Sequence, residues 1–557
     1  MKDNRLRAPS TDGALLAVPP LAEALGEISR TSTRLRAWDH DFQGRSSRLL
    51  RKQVRRDVLA RASAFLARHG IDAPDVPSAD ETVLLPPLIV TGHQPELFHP
   101  GVWVKNFAAA SLASACGGIA LNMIVDNDIP KSATIRVPLL ERDRARAVRI
   151  EFDRWMGEWP YEDLRVHDEA LFASFPARVR KVLPAQIADP ILDGFWPRAV
   201  RRASEIPTLG LRLALARREI EAEWGISNLE IPLSELCQGE GFLWFASHIL
   251  AQLPRFQEVH NSALADYRRH YGIRSKSHPV ADLGLQGEWR EAPFWAWRQG
   301  EPRRRALLVL QEKKSMRLRI AGESETLLEL PLAADRDACC AVERLADLPA
   351  RGVRLRTRAL TTTMFARHLM GDMFIHGIGG AKYDELGDAI AARFFGIEPP
   401  RFLTLSLTQR LGLPEKPAGP ETLLALEQSI RRMTYNPDRF VDEPTTPEVR
   451  TLIDEKSRWI ANEPGTRDER IRRYRAIQDV NGRLRPLVAG RMQTTQRLKQ
   501  QAIADLRWNL VTRSREFPFI LHSARRLQHV MSVMADSANS RNPDATEGAI
   551  MDAVVNC

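Results

Sequence analysis

Residues 86–128 read PPLIVTGHQPELFHPGVWVKNFAAASLASACGGIALNMIVDND, and this stretch decides the fold class. The apolar run Pro87 to Val90 has the length of a buried strand. It ends at Thr91-Gly92, where glycine permits backbone angles that other residues avoid. A polar loop follows, carrying His93, Gln94, Glu96 and His99. Pro100-Gly101 marks a helix start, because proline is favoured in a first turn. Val104, Ala108, Leu112 and Ala115 then recur at a spacing of three or four, and Gly117-Gly118 stops the helix. A second apolar run, Ile119 to Val125, ends in Asp126-Asn127-Asp128. The unit is strand–helix–strand, with polar residues after each strand. In open parallel sheets, ligands bind beyond those carboxyl ends. A helix N-terminus placed there favours an anion.

A second such unit lies far along the chain, in VRLRTRALTTTMFARHLMGDMFIHGIGGAKYDELGDAIAARFFGIEPPRFLTLSL, residues 353–407. Thr357-Arg358 precedes a short helix. Asp372 to His376 is expected to be a strand, Gly377-Ile378-Gly379-Gly380 a flexible turn, and Tyr383 onward a helix ending near Gly396. Backbone N–H groups in such a turn cradle phosphate. If both units belong to one parallel sheet, their glycine turns face one cavity.

The chain has 557 residues, 44% of them hydrophobic and 27% charged, which describes a globular protein of several domains. Five cysteines show neither zinc nor redox spacing, which suggests a reduced, cytoplasmic protein. No run approaches the ~20 apolar residues of a membrane span, and Pro19-Pro20 cuts short the apolar run near the N-terminus. The net charge of +10 is compatible with nucleic acid. The simpler reading is pockets for phosphate or carboxylate, since no dense Lys/Arg tract occurs.

Elsewhere the patterns are coarser. Residues 46–69 form a helix, capped by Ser46 or Ser47 and stopped by Gly70, with Leu50, Val54, Val58, Ala62 and Phe65 on one face. Its other face carries Arg48, Arg51, Lys52, Arg55, Arg56, Arg61 and Arg68, which reads as solvated. Residues 153–230 and 241–275 are mostly helical, the latter interrupted near Pro254. Residues 291–320 form a β meander whose Phe294, Trp295 and Trp297 fill a sheet face or, with Arg298, stack a base or sugar, with Arg303-Arg304-Arg305 in an exposed turn. Residues 421–434 and 446–461 are helical. Within 467–513 a stripe of Leu484, Val488, Met492, Thr495, Leu498, Ala502, Leu506 and Leu510 approximates a coiled-coil seam, with Pro486 expected to kink or restart the helix. Residues 537–557 read as a loosely ordered tail.

The two glycine-bearing blocks resemble the bacillithiol biosynthesis cysteine-adding enzyme family. Its members carry a Gly-Gln-Gln-x-x-Leu loop, a helix bearing Lys and a Glu-Asp-His-Asp run. Gly92, Gln94, Leu97, Lys105 and Asp128 match, with His93 in place of the first glutamine. The family then has Thr-Arg-Pro, a strand and Gly-Pro-Gly-Glu-x-x-Tyr. Here Thr357, Arg358, Gly377, Gly379 and Tyr383 match in order, while Ala359, Gly380 and Asp384 depart. The resemblance implies a Rossmann-like core related to nucleotidylyltransferases over 85–415, with inserted segments at about 153–350. It also implies a helical coiled coil over 416–520, after an N-terminal helical segment (1–84) and before a C-terminal helix and tail (521–557).

The implied activity is that of a ligase-like enzyme joining an amino acid, cysteine in the family, to an amino-sugar or other small amine. His93, Asp126 and Asp128 are the candidate catalytic residues. Gly92, Gln94, Lys105, Arg358, Gly377, Gly379, Gly380 and Tyr383 are the candidates for binding a nucleotide such as ATP or ADP. No structural metal is indicated. The expected partners are small-molecule substrates and a second copy through the coiled coil, not nucleic acid or membrane. The alternative is a non-enzymatic basic scaffold that binds nucleic acid or protein through the Arg-rich helix and the coiled coil.

Overall fold

A computed structural model of the chain describes residues 6–77, 85–442 and 446–539, with side chains to residue 535. The protein is mixed α/β. Its central sheet has six strands in the order Leu15–Val18, Leu403–Leu407, Met373–His376, Leu88–His93, Ile119–Ile124, Leu229–Pro232. The first pairs antiparallel and the other five run parallel. The expected strand at 87–90 runs on to His93, so Gly92 is a strand residue with an ordinary φ. Its lack of a side chain serves packing instead, since a Cβ there would meet the Met123 carbonyl oxygen at 3.1 Å.

Side-chain alternation divides the interior into two cores, one on each face of this sheet. Leu88, Val90, Leu121, Met123 and Phe374 point to one. Ile89, Ala120, Met373, Ile375 and Leu405 point to the other. The helix Pro100–Cys116, capped by His99 and ended by Gly117 at φ +61, packs on the second face. Ser47–Arg68 and Ile378–Phe395 contribute to the first.

The Ser47–Arg68 helix forms as expected, with Ser46 accepting from the Leu49 N–H. Its arginine face is not simply solvated. Arg51 and Arg55 are buried, and both reach Asp372, at 2.8 and 2.7 Å. Asp372 also accepts from the Leu88 N–H at 2.8 Å. The helix thus clamps the amino ends of the two central strands.

The segment between Leu229–Pro232 and Met373–His376 builds a second, antiparallel sheet in the order Leu328–Leu330, Met316–Ile320, Arg305–Gln311, Trp289–Arg298, Val353–Thr357. The expected meander is present. Phe294 and Trp297 are buried, and Trp295 is half-exposed. The turn at Arg303–Arg305 departs from expectation. Arg304 is folded inward, donating to the Asn127 carbonyl at 2.9 Å and to Asp128 at 2.8 Å.

Toward the C-terminus, Pro420–Tyr435 and Pro447–Ala461 pack against one helix of 46 residues, Arg467–Thr512. That helix runs through Pro486 without restarting. The expected stripe is only partly an interior seam. Leu484, Val488 and Ala502 are buried, but Leu498 and Leu510 are 54% and 76% exposed. The inward positions are Asn481, Leu484 and Val488, then Ala502, Asp505, Asn509 and Thr512. Of the loose tail expected over 537–557, residues 537–539 instead end the helix Ala524–Asn539, and the rest lies outside the described residues.

Candidate functional site

The sheet order reverses between Leu88–His93 and Met373–His376. From the first strand the chain proceeds outward through 119–124 to 229–232; from the second it proceeds the other way to 403–407. At such a reversal the connecting segments leave on opposite faces, and a crevice opens beyond the strand ends. Ile375 is in register with Thr91, which donates to the Ile375 carbonyl at 3.2 Å. The Gly92–His99 loop and the Gly377–Gly380 segment therefore leave adjoining strands at the same edge.

Lys105 lies at this reversal, on the second turn of the helix Pro100–Cys116. It is 3% exposed, and its Nζ donates to the Gly92 carbonyl at 2.8 Å. No carboxylate pairs with it among the described residues. Burial alone pulls its ammonium from an ordinary 10.5 down to about 7, since desolvation disfavours the charged form. The Lys105 charge also reaches His93, His99 and His376, making each harder to protonate.

His93 ends its strand, packs edge-on to Phe98 at 5.0 Å and keeps a 27% exposed side chain. Burial first, then Lys105, holds it well below its ordinary value, so it is neutral at neutral pH. His99 caps the Lys105 helix, its Nδ1 accepting from the Gly101 N–H at 3.1 Å.

The second strand supplies His376, a residue the sequence reading passed over. Its Nε2 lies 2.7 Å from Asp384 Oδ2. Asp384 also accepts from Arg367 at 2.8 Å and from the Thr363 hydroxyl. Burial raises this carboxyl, but His376 and Arg367 outweigh that and hold it far below the usual range. The ionised carboxylate fixes the Nε2–H tautomer and leaves Nδ1 as the lone-pair nitrogen. A Cβ at Gly380 would sit 2.7 Å from that Nδ1, so only glycine lets the helix pack this closely against the buried ring. The signal for His376 was its place at a strand end directly before the glycines. In the sequence Asp384 stands out only as a departure from the resembled pattern.

The glycine segment is not a flexible turn. The helix begins at Ile378, with Gly377 as its extended N-cap. None of Gly377, Gly379 and Gly380 has a positive φ. A Cβ at Gly377 or Gly379 meets nothing within 4 Å. Tyr383 lies one turn further on, its ring 6.2 Å from that of His278.

The remaining candidates join the site by a relay of contacts. Gln94 Nε2 donates to Asp128 at 2.7 Å, and Asp128 is paired with Arg304. Arg304 and Arg358 both lie over the Trp295 ring, at 5.2 and 4.1 Å. Arg358 also donates to Glu291 at 2.7 Å. Asn127 Nδ2 holds the Thr357 carbonyl at 2.9 Å. Asp128 and Arg358 thus serve as struts tying the second sheet to the crevice wall.

Asp126 is placed apart. Its carboxylate accepts from the Ser234 N–H and hydroxyl. It lines a separate cavity of about 200 Å³ together with Glu162 and Arg356. Burial, with Glu162 adding repulsion, pushes its carboxyl up to about 7.

Arg515, which had no local sequence signal, arrives from beyond the long helix. It donates to Thr408 Oγ1 at 3.0 Å and Ser406 Oγ at 2.8 Å, and its Nη2 lies 3.5 Å from His99 Nδ1. It adds a cation beside the N-terminus of the Lys105 helix. No group of three or more His, Cys, Asp or Glu among the described residues is arranged to hold a metal ion.

No model of a known protein family matches the chain, and no curated protein matches it. No helix among the described residues is long and apolar enough to cross a membrane.

Proposed function

We propose that the crevice binds the anionic group of a small substrate and that the chain is a ligase-like enzyme joining an amino acid to a small amine. In this reading the five parallel strands are a Rossmann-like core, and the reaction is of the kind carried out by the resembled cysteine-adding family. The observation that carries the reading is Lys105: a buried ammonium with one carbonyl partner, at the point where the sheet order reverses. An anion there supplies the charge the fold leaves out. The two matched blocks end on adjoining strands, which adds support. His376, oriented by Asp384, is the group suited to move a proton, with His93 neutral beside it. Gly377–Gly380 opens the helix N-terminus to a phosphate or carboxylate. We read the outward face of the long helix as the contact between two copies of the chain.

The basic-scaffold alternative has less support, because Arg51 and Arg55 are engaged inside the protein. The test is incubation with cysteine and glucosaminyl-malate, with and without ATP, followed by mass spectrometry of the products. The same method applied to the purified protein identifies co-purifying anions. We expect a joined product from the parent and none from Lys105→Met. Equal behaviour of the two proteins, with no product and no bound anion, would overturn the reading.

A further inference from the structure

The opposite edge of the central sheet, where Asp372 receives its two arginines, holds a second cavity. It measures about 210 Å³. Its floor is formed by Arg51 and Arg55, both at least nine-tenths buried, with Asp372 between them. Its rim carries three exposed cations, Arg36, Arg48 and Lys52.

The charges around it do not balance. Among the described residues five cations surround one carboxylate, whose two oxygens are taken up by Arg51, Arg55 and the Leu88 N–H, while Arg51 also donates to the His368 and Gly371 carbonyls and Arg55 to that of Pro86. Among the described residues Arg36 bonds only to Ser32 on its own helix, and Arg48 only to the Ala37 carbonyl. Neither they nor Lys52 has a carboxylate partner among the described residues. The Arg55 Nε is buried with no hydrogen-bond partner among the described residues. A buried donor left unsatisfied costs free energy, and so does uncompensated charge. Burial and the neighbouring Arg55 accordingly pull Arg51 down to about 10.

We propose that this cavity is a binding site for a small, multiply charged oxyanion of the diphosphate class, distinct from the crevice at the other edge. Guanidinium groups bind tetrahedral oxyanions through paired N–H donors, and the rim cations draw such a ligand in. The closed floor and small volume favour a compact ligand over a polymer.

The probe is inorganic diphosphate, measured by calorimetry and thermal denaturation on the full chain. The variant is Arg36→Gln/Arg48→Gln/Lys52→Gln, which removes rim charge and leaves the Asp372 pairing intact. The parent is expected to bind diphosphate and melt higher with it, the more so at low salt. The triple variant is expected to bind at least tenfold more weakly while melting normally without ligand. Lys105→Met, altered only at the other edge, is expected to keep this binding. The proposal is overturned if the triple variant binds as the parent does, if Lys105→Met loses the binding instead, or if the parent binds no diphosphate. It is also overturned if a single-stranded RNA oligomer displaces diphosphate and binds far more tightly, because the surface then serves a polymer.

Discussion

Replacing Lys105 by methionine separates the role of this residue in the fold from its role in binding. The two side chains have similar length, so the substitution removes the ammonium and leaves the packing in place. In the parent, burial moves the ammonium from 10.5 to about 7. The group is depressed in the folded state, so the unfolded chain holds the extra proton between those two values, and stability rises with pH across that window. A tenfold change in proton affinity is worth about 1.4 kcal/mol, which makes the burden of the lysine ~4 kcal/mol at neutral pH as an upper bound. The lost bond to the Gly92 carbonyl offsets ~1.5–3 kcal/mol of this, the range for a hydrogen bond to a charged group. Lys105→Met is therefore expected to be more stable than the parent by ~1–2 kcal/mol at pH 7, from the same two terms. By pH 9.5 the burden falls to ~1.5 kcal/mol, the folded amine is neutral and its bond to Gly92 contributes only ~0.5–1.5 kcal/mol, so the advantage of the variant should fall close to zero. Urea denaturation at the two pH values measures both. Anion binding should vanish in the variant, and in the parent it should weaken as pH rises above about 7. A variant destabilised equally at both pH values would refute the reasoning, because it would make Lys105 an ordinary strut.

The Cβ of Gly379→Val meets nothing within 4 Å, so calorimetry should show loss of the crevice ligand while the melting temperature stays within a few degrees. Gly380→Ala, whose Cβ meets His376 Nδ1 at 2.7 Å, should instead destabilise by ~1–3 kcal/mol in denaturant titrations, the usual cost of overpacking. Asp372→Asn leaves Arg51 and Arg55 without their shared counter-charge and should cost ~3–5 kcal/mol. Because Asp372 sits below the ordinary carboxylate value in the folded state, its contribution should be fully present above the unfolded value and lost in acid, which acid titration of stability will reveal. Light scattering should show a homodimer at micromolar concentration, and Leu487→Glu/Leu498→Glu, on exposed leucines of the long helix, should yield a folded monomer.

The strand ends and helix starts of both blocks could be read locally, because periodicity, proline and glycine act over a few residues. What escaped were pairings across long separations. Arg51 and Arg55 stand four apart on a helix face that carries other charges, which ordinarily means solvent. Their partner Asp372 is 321 and 317 residues away, and no local pattern announces a buried carboxylate opposite them. Arg304 looked like the middle of an exposed turn until Asp128 gave it an inward partner. On the long helix, the apolar stripe overstated the interior because Asn481, Asp505 and Asn509 occupy inward positions that composition assigns to the surface. Asp126 shows a different limit. Its position at a strand end was legible, but not the direction of its carboxylate, which Ser234 turns toward the neighbouring strand.

The reversal of strand order has a consequence for how the chain comes to be folded. The strands 88–93, 119–124 and 229–232 can pair during synthesis as soon as they emerge, but Leu88–His93 then presents a bare hydrogen-bonding edge. Its companion Met373–His376 arrives roughly 280 residues later, and contacts so distant in sequence are slow to form. Unpaired edges of this kind invite association with other chains. Asp372 reaches the Leu88 N–H only when that companion docks, so sealing the edge and forming the crevice are one late event. A nascent chain released before then would carry the Lys105 strand–helix unit without the Gly377-capped helix beside it, and with one edge of its sheet still unpaired.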